Sequence, residues 1–225
     1  MDWHWLTFFG DSMLLLPCAV LIVILLLWKA DTRRACWQWL LLFAAAGAMV
    51  SVSKLAFMGW GIGSRHYDFT GFSGHSALSA SIWPVLIWIL CSRASFGWRL
   101  TAVAGGYLLA LVIGFSRLVL HAHSVSEVIA GLTLGYTIST SFLLMQYTRH
   151  TPIRPLTYSQ MSAILVLPLL LIVQGKKAPT QGLLEQIAVA VAQVKRPYTR
   201  ADLHRNLPAK HLAVQPATDA RPVQH

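Results

Sequence analysis

Apolar residues gather into six long runs, at about 13–28, 37–57, 77–91, 99–115, 125–145 and 160–174, with polar and charged residues at the joints. A hydrocarbon core about 30 Å thick needs about 20 largely apolar residues per crossing helix, and several runs lie near the lower limit. The pattern predicts an all-α, polytopic membrane bundle of about six transmembrane helices. The first helix has room to start earlier, with Trp3, Trp5, Leu6, Phe8 and Phe9 at the interface and Asp11 or Ser12 as its cap. Trp28, Trp37, Trp39, Trp60 and Trp98 fall near run ends, where an aromatic belt is expected.

The pattern changes after Gly175. Leu183, Leu184, Ile187, Val191 and Val194 recur at helical spacing and predict a short amphipathic helix. From Lys195 onward the chain is rich in Pro, Arg, His and Ala and reads as a mobile tail, with Lys195 and Arg196 available to anionic lipid. The expected organisation is a membrane-embedded domain over 1–175, followed by an amphipathic helix and mobile basic tail over 176–225.

Composition agrees with a lipid solvent. Only 12% of the 225 residues are charged, about half the share that coats a soluble domain. The net charge of +10 raises nucleic acid as a partner. A nucleic-acid binder clusters its cations on one soluble face, whereas here they lie between apolar runs or in the tail. Membrane lipids are the expected surroundings and no nucleic-acid partner is expected. Cys18, Cys36 and Cys91 lie in or beside apolar runs without metal-ligand spacing, and read as small buried hydrophobes. Lys29, Arg33 and Arg34 follow the first run rather than precede it, so that run is expected to stay as an anchor.

Charges in the short loops set the orientation. Six spans put Lys29, Arg33, Arg34, Arg93, Arg99, Arg149 and Arg154 on one side, against Lys54, Arg65, Arg117, Lys176 and Lys177 on the other. The first side is the expected cytoplasmic one. The N-terminus and the loops 59–76 and 116–124 then face the periplasm or cell exterior of an inner (plasma) membrane.

Polar groups in so apolar a chain carry the chemistry. Between Asp68 and Glu185 there is one acid, Glu127, at the start of the fifth run. An ionisable group entering a membrane helix is costly unless paired, and marks function by default. His123 lies four residues before it, one helical turn away. A carboxylate there can accept a hydrogen bond from one imidazole N–H, which fixes the tautomer and leaves the other nitrogen as nucleophile or base; a helix-capping pair without chemistry is the simpler alternative. Phe72-Ser73-Gly74-His75-Ser76 precedes the third run. Ser73 is a candidate cap, and Gly74 lets a ligand approach the first-turn N–H groups, which favour an anion. Lys54, near the end of the second run, either snorkels to the interface or joins Arg117 and Arg65 in cancelling phosphate charge. All these groups share one predicted membrane face.

In order and spacing the chain resembles the type-2 phosphatidic acid phosphatase superfamily, whose motifs are Lys-x6-Arg-Pro, Pro-Ser-Gly-His and Ser-Arg-x5-His-x3-Asp. Ser116, Arg117 and His123 match the third motif, with Glu127 in place of Asp. Residues 72–75 match the second, with Phe72 in place of Pro. Of the first only Lys54 remains; its seventh follower is Gly61, and Arg65 is the candidate replacement. The resemblance covers about residues 54–145. It implies a membrane phosphatase acting on a lipid phosphate or pyrophosphate without metal or other cofactor. His123 would attack phosphorus and form a phosphohistidine, Glu127 would orient it, and His75 would protonate the leaving oxygen and then activate water. Lys54, Arg117, Ser73, Gly74 and Arg65 would cradle the phosphoryl oxygens. Alternatives are a lipid phosphotransferase, a non-catalytic anion or lipid transporter, and a metal hydrolase using His121, His123 and Glu127 with His66 or His75. His4, His66, His150, His204 and His211 receive no role as surface or interfacial residues.

Overall fold

A computed structural model of the chain describes residues 3–29, 33–148, 155–157, 159–162, 164 and 180–208. In order, these form α1 (Trp3–Phe8), α2 (Ser12–Lys29), α3 (Arg33–Trp60), α4 (Gly74–Leu90), a 3-10 turn (Cys91–Arg93), α5 (Phe96–Val119), α6 (Val125–Thr148), α7 (Thr180–Ala192) and α8 (Arg200–His204). An isolated β-bridge joins Ser64 and Phe69 in the loop between α3 and α4.

Five stretches are long and apolar enough to cross a membrane: Trp5–Trp28, Arg33–Trp60, Gly74–Arg93, Phe96–Val119 and Val125–Thr148. Their outward faces carry exposed Val20, Leu41, Val52, Leu108, Ile129 and Leu144, as lipid-facing helices require. The chain is an all-α polytopic membrane bundle. The sixth expected span, 160–174, lies mostly outside the described residues. Its flanks are held at opposite ends of the bundle. Arg93 Nη1 donates to the Leu156 carbonyl and Leu156 N to Ser92 Oγ at the far end of α4, whereas Thr180 meets Ser12 at the start of α2.

The α4 helix is the hub, and small residues let its neighbours approach. A Cβ added at Gly131 of α6 would sit 2.7 Å from the Ser73 carbonyl; one at Gly135 would sit 2.4 Å from the Ala77 carbonyl and 2.6 Å from Ala80 Cβ. On the α5 side Gly106 lies against the backbone of Pro84. Close backbone approach of this kind drives helix association in membranes, where burial from water contributes little.

The main core joins α2, α3, α4 and α6 through Leu14, Ile22, Leu26, Trp39, Ile82, Ile89 and Phe142. Trp28, Trp37, Trp60 and Trp98 are exposed as belt residues should be, but Trp39 is fully buried. It stacks on Phe43 at 5.3 Å and meets Phe142 edge-on at 5.6 Å. The helix phase points Trp39 inward and Trp37 outward, a distinction that position along the chain could not draw.

The amphipathic helix expected after Gly175 is α7, packed on the end of α3 with Ala192 against Gly59. The following segment, read from composition as a tail, carries specific contacts through 195–208. A Thr199–Asp202 capping box starts α8, Arg196 pairs with Asp202 through both guanidinium ends, and Tyr198 N donates to the Met58 carbonyl at 2.8 Å. Phe57, Met58, Ala188, Tyr198 and Leu203 form a second small core there. Specific pairing offsets the ordering entropy that composition alone suggested would win.

Candidate functional site

Six helix ends converge on one face: the starts of α2, α4, α6 and α7 and the ends of α3 and α5. They enclose a cavity of about 730 Å³ whose lining includes Lys54, Gly74, His75, Arg117 and His123.

The α5–α6 corner places His123. Ala122 N donates to the Arg117 carbonyl and His121 N to the Leu118 carbonyl, with His121 in the left-handed region at φ 50°. This is a Schellman stop, and His121 takes the position that glycine usually fills. Three residues later Ser124 starts α6 with a capping box: Glu127 N donates to Ser124 Oγ at 3.4 Å, and Ser124 N to Glu127 Oε2 at 3.1 Å. The same Oε2 accepts His123 Nδ1 at 2.8 Å. Glu at the third helical position reaches back both to cap the helix and to hold the ring. The capping and orienting readings are therefore one arrangement, and the extra methylene of Glu relative to Asp is used.

Glu127 is fully buried and accepts five donors: His123 Nδ1, Ser124 N and Arg200 Nη2 on Oε2, and the backbone and hydroxyl of Thr70 on Oε1. So many donors satisfy a buried carboxylate that would otherwise be costly. With Nδ1–H turned to Glu127, the lone pair of His123 is on Nε2. Burial pushes the imidazole of His123 below its ordinary pKa, against the opposing pull of Glu127. The neutral form of the ring is thereby favoured.

The loop before α4 is stitched to α3. Phe72 N donates to Ser53 Oγ at 3.2 Å, a bond that proline, lacking the N–H, could not make. Gly71 passes Lys54 at φ 138°, and a Cβ there would lie 3.2 Å from Lys54 Cγ. Ser73 N donates to the Glu127 carbonyl, tying the start of α4 to α6. Ser73 occupies the N-cap position but makes no side-chain cap bond; its buried hydroxyl accepts from Ser76 Oγ at 2.9 Å. Gly74 and His75 line the cavity, and a Cβ added at Gly74 would find only Val50 at 3.9 Å. The first-turn N–H groups of α4 have no intrahelical acceptor, so an anion beside Gly74 meets a ready donor set.

Lys54 Nζ donates to Gln181 Oε1 at 3.2 Å. Arg117 is half-buried, and its Nε has no acceptor among the described residues. His75 Nε2 lies 3.8 Å from Asp11 Oδ2, and Ser116 bonds Thr7 of α1 at 2.9 Å. Lys54, Ser73, Gly74, His75, Arg117, His123 and Glu127 are therefore brought together. Arg65 is not: it stands exposed on the loop turn, outside the cavity walls. His66 and His121, weighed as metal ligands, are also exposed and outside those walls. Gly61, at the place of the first-motif Arg, ends α3 at φ 69° with its N–H on the Phe57 carbonyl. An Arg there would be strained.

Four contributors escaped the sequence reading: Asp11, Asp68, Thr70 and Arg200. Arg200 bridges Glu127 and Asp68, and His204 Nε2 bonds Asp68 Oδ1 at 2.8 Å. The Thr199-x-x-Asp202 pattern was a readable sign of a helix start beside Arg200. The pairing across 73 residues to Glu127 was not.

Residues 56–151 match the PAP2 superfamily, which takes in the Ser73–His75 and Ser116–Glu127 segments and begins just after Lys54. A protein of Klebsiella pneumoniae named "Uncharacterized 22.5 kDa protein in cps region" is 52% identical over 206 residues, covering 91% of this chain and 99% of that protein. No solved structure matches. With its helix ends, its His–Glu pair and the order of its motifs in agreement, the chain belongs to the PAP2 superfamily, a membrane protein with a phosphatase-type function.

Proposed function

We propose that this protein hydrolyses a phosphate monoester or diphosphate carried by a lipid, at the extracytoplasmic face of the inner membrane, through a phosphohistidine at His123. The observation that carries the reading is the His123–Glu127 pair facing a cavity that is cationic at its rim and apolar below. Ala46, Gly47 and Val50 of α3 and Ala77 and Leu78 of α4 line its deeper part. Ala46 lies eight residues before Lys54, about 12 Å further along the helix at 1.5 Å per residue. A phosphate at the rim thus leaves its lipid chain among apolar side chains.

The Nε2 lone pair of His123 forms a bond to phosphorus as the bond to the leaving oxygen breaks. His75 gives its proton to that oxygen. The ring is now cationic, and Glu127 faces that charge. Lys54, Arg117 and the start of α4 hold the phosphoryl oxygens as charge moves between them. Water, losing a proton to His75, then adds to phosphorus; the P–N bond breaks, its electron pair returns to Nε2 and phosphate leaves.

The test is phosphate release from long-chain lipid monophosphates and diphosphates by purified protein in detergent. Turnover that resists chelator, is inhibited by vanadate and is lost in His123→Ala is expected. Undiminished turnover in His123→Ala would reject the mechanism, and release confined to water-soluble esters would reject the lipid substrate.

A further inference from the structure

We infer that Arg200, on the C-terminal segment, is a positioning residue of this reaction, sharing the Glu127 carboxylate with His123 and so limiting how strongly that carboxylate stabilises a cationic ring. The inference rests on the phosphohistidine reading above.

Arg200 Nη2 lies 2.7 Å and His123 Nδ1 2.8 Å from the same oxygen, Glu127 Oε2. The guanidinium and the ring thus share one oxygen of a fully buried carboxylate. The other end of the guanidinium is anchored by Asp68, which His204 holds in turn. The backbone beneath is fixed by the Thr199–Asp202 capping box and by the Tyr198–Met58 bond. Arg200 therefore sits in a prepared place, on the side of the ring away from Nε2, and Thr199 and Arg200 help wall the cavity. The matched family region ends at residue 151, so this contribution comes from outside it.

The consequence is chemical. In the phosphorylated state the ring carries positive charge, and a carboxylate devoted to it would stabilise that state and slow its clearance. When Arg200 takes part of the carboxylate's field, the P–N bond is weaker toward water, and His75 accepts the water proton as before. The same sharing disfavours protonation of the free ring. The other charged or titratable groups facing His123 are Lys54 on α3, His75 on α4 and Arg117 on α5. They are unchanged when Arg200 alone is substituted.

The experiment compares the acidic limb of kcat/KM against pH in wild type, Arg200→Gln, Arg200→Met and Arg200→Lys, with one lipid phosphate so that substrate ionisation is common to all. Removing the cation leaves Glu127 to the ring and favours imidazolium, so in the neutral variants the limb should move upward by about one pH unit. The phosphorylated protein trapped by rapid quench should increase severalfold. Lys, which keeps the charge, should restore the limb. A staple without influence on the ring would lower stability and leave the limb in place. Gln and Met fail in different ways, since Met keeps the stem's packing, and one folded neutral variant suffices. Limbs that coincide with wild type overturn the inference. Turnover indifferent to His123→Ala removes the phosphohistidine reading and this inference with it, whereas a dead His123→Ala beside unmoved limbs removes the inference alone.

Discussion

Replacing Glu127 by Gln keeps the shape of the side chain and removes its charge. Of the five donors now satisfied, three converge on Oε2 and two on Oε1. An amide has one acceptor oxygen, and its NH2 must face one of these groups head-on. If the oxygen stays with Thr70, then His123, Ser124 and Arg200 lose their acceptor; in the opposite flip, Thr70 loses both of its bonds. The first arrangement removes a charge-assisted hydrogen bond from the reacting ring, worth about 1.5–3 kcal/mol. At 1.36 kcal/mol per decade that is roughly a 10- to 150-fold fall in kcat. Two or more buried donors left unpaired cost about 1–3 kcal/mol each, which lowers the midpoint of thermal unfolding in detergent. The assay is phosphate release at saturating lipid phosphate, normalised to folded protein by size exclusion. A folded variant with kcat within a factor of about three of wild type would show that the carboxylate does not support the ring, and the reasoning would fail.

The rim cations should act on binding: Lys54→Met and Arg117→Met are each expected to weaken vanadate or phosphate inhibition by about tenfold or more, read from inhibition constants, since each removes a charge-assisted contact. The acidic limb of wild-type kcat/KM should lie below the ordinary histidine value, because burial lowers the pKa of His123 and the proposed reaction uses its neutral form. Activity is then retained as pH falls through about 6.5 and lost only further down; a limb above that value would contradict the burial argument. In the bundle, Gly135→Ala is expected to cost about 1–3 kcal/mol by overpacking against Ala77 and Ala80. Gly47→Ala, where a Cβ meets nothing within 4 Å, should leave the detergent melting curve unchanged.

Long apolar runs and the residues 116–127 were readable because both signals are local. Hydrophobic length predicts a spanning helix regardless of its neighbours, and a His four residues before a Glu must share a helical face. Capping of α6 by Glu127 and holding of His123 could be stated as rivals from the sequence, and only side-chain geometry showed that one oxygen does both. The departures from the family motifs became intelligible in the same way: Phe72 donates a backbone N–H that Pro lacks, and Gly61 occupies a left-handed helix end. Long-range pairings were hidden. Arg200 reaches Glu127 and Asp68 from a segment whose composition reads as solvated tail, and nothing local to Arg65 revealed that it points away from the cavity. Trp39 shows the same limit in the core, since a residue's distance from a run end does not tell which face it occupies.

The five spans are unequally enclosed: α4 is the most covered by its neighbours and α3 the least. Both wall the apolar part of the cavity, yet they differ in what change they tolerate. Evolution is free to enlarge or shrink side chains along α3 at Gly47 and Val50, because the opposite face of that helix meets lipid and can yield. Along α4 the backbone is clasped by glycines of α5 and α6, so the side facing the cavity is cast in one form. If the substrate is a lipid phosphate as proposed, relatives suited to thicker or thinner chains should differ on the α3 wall while keeping the α4 wall, a division of labour between an adjustable jaw and a fixed one.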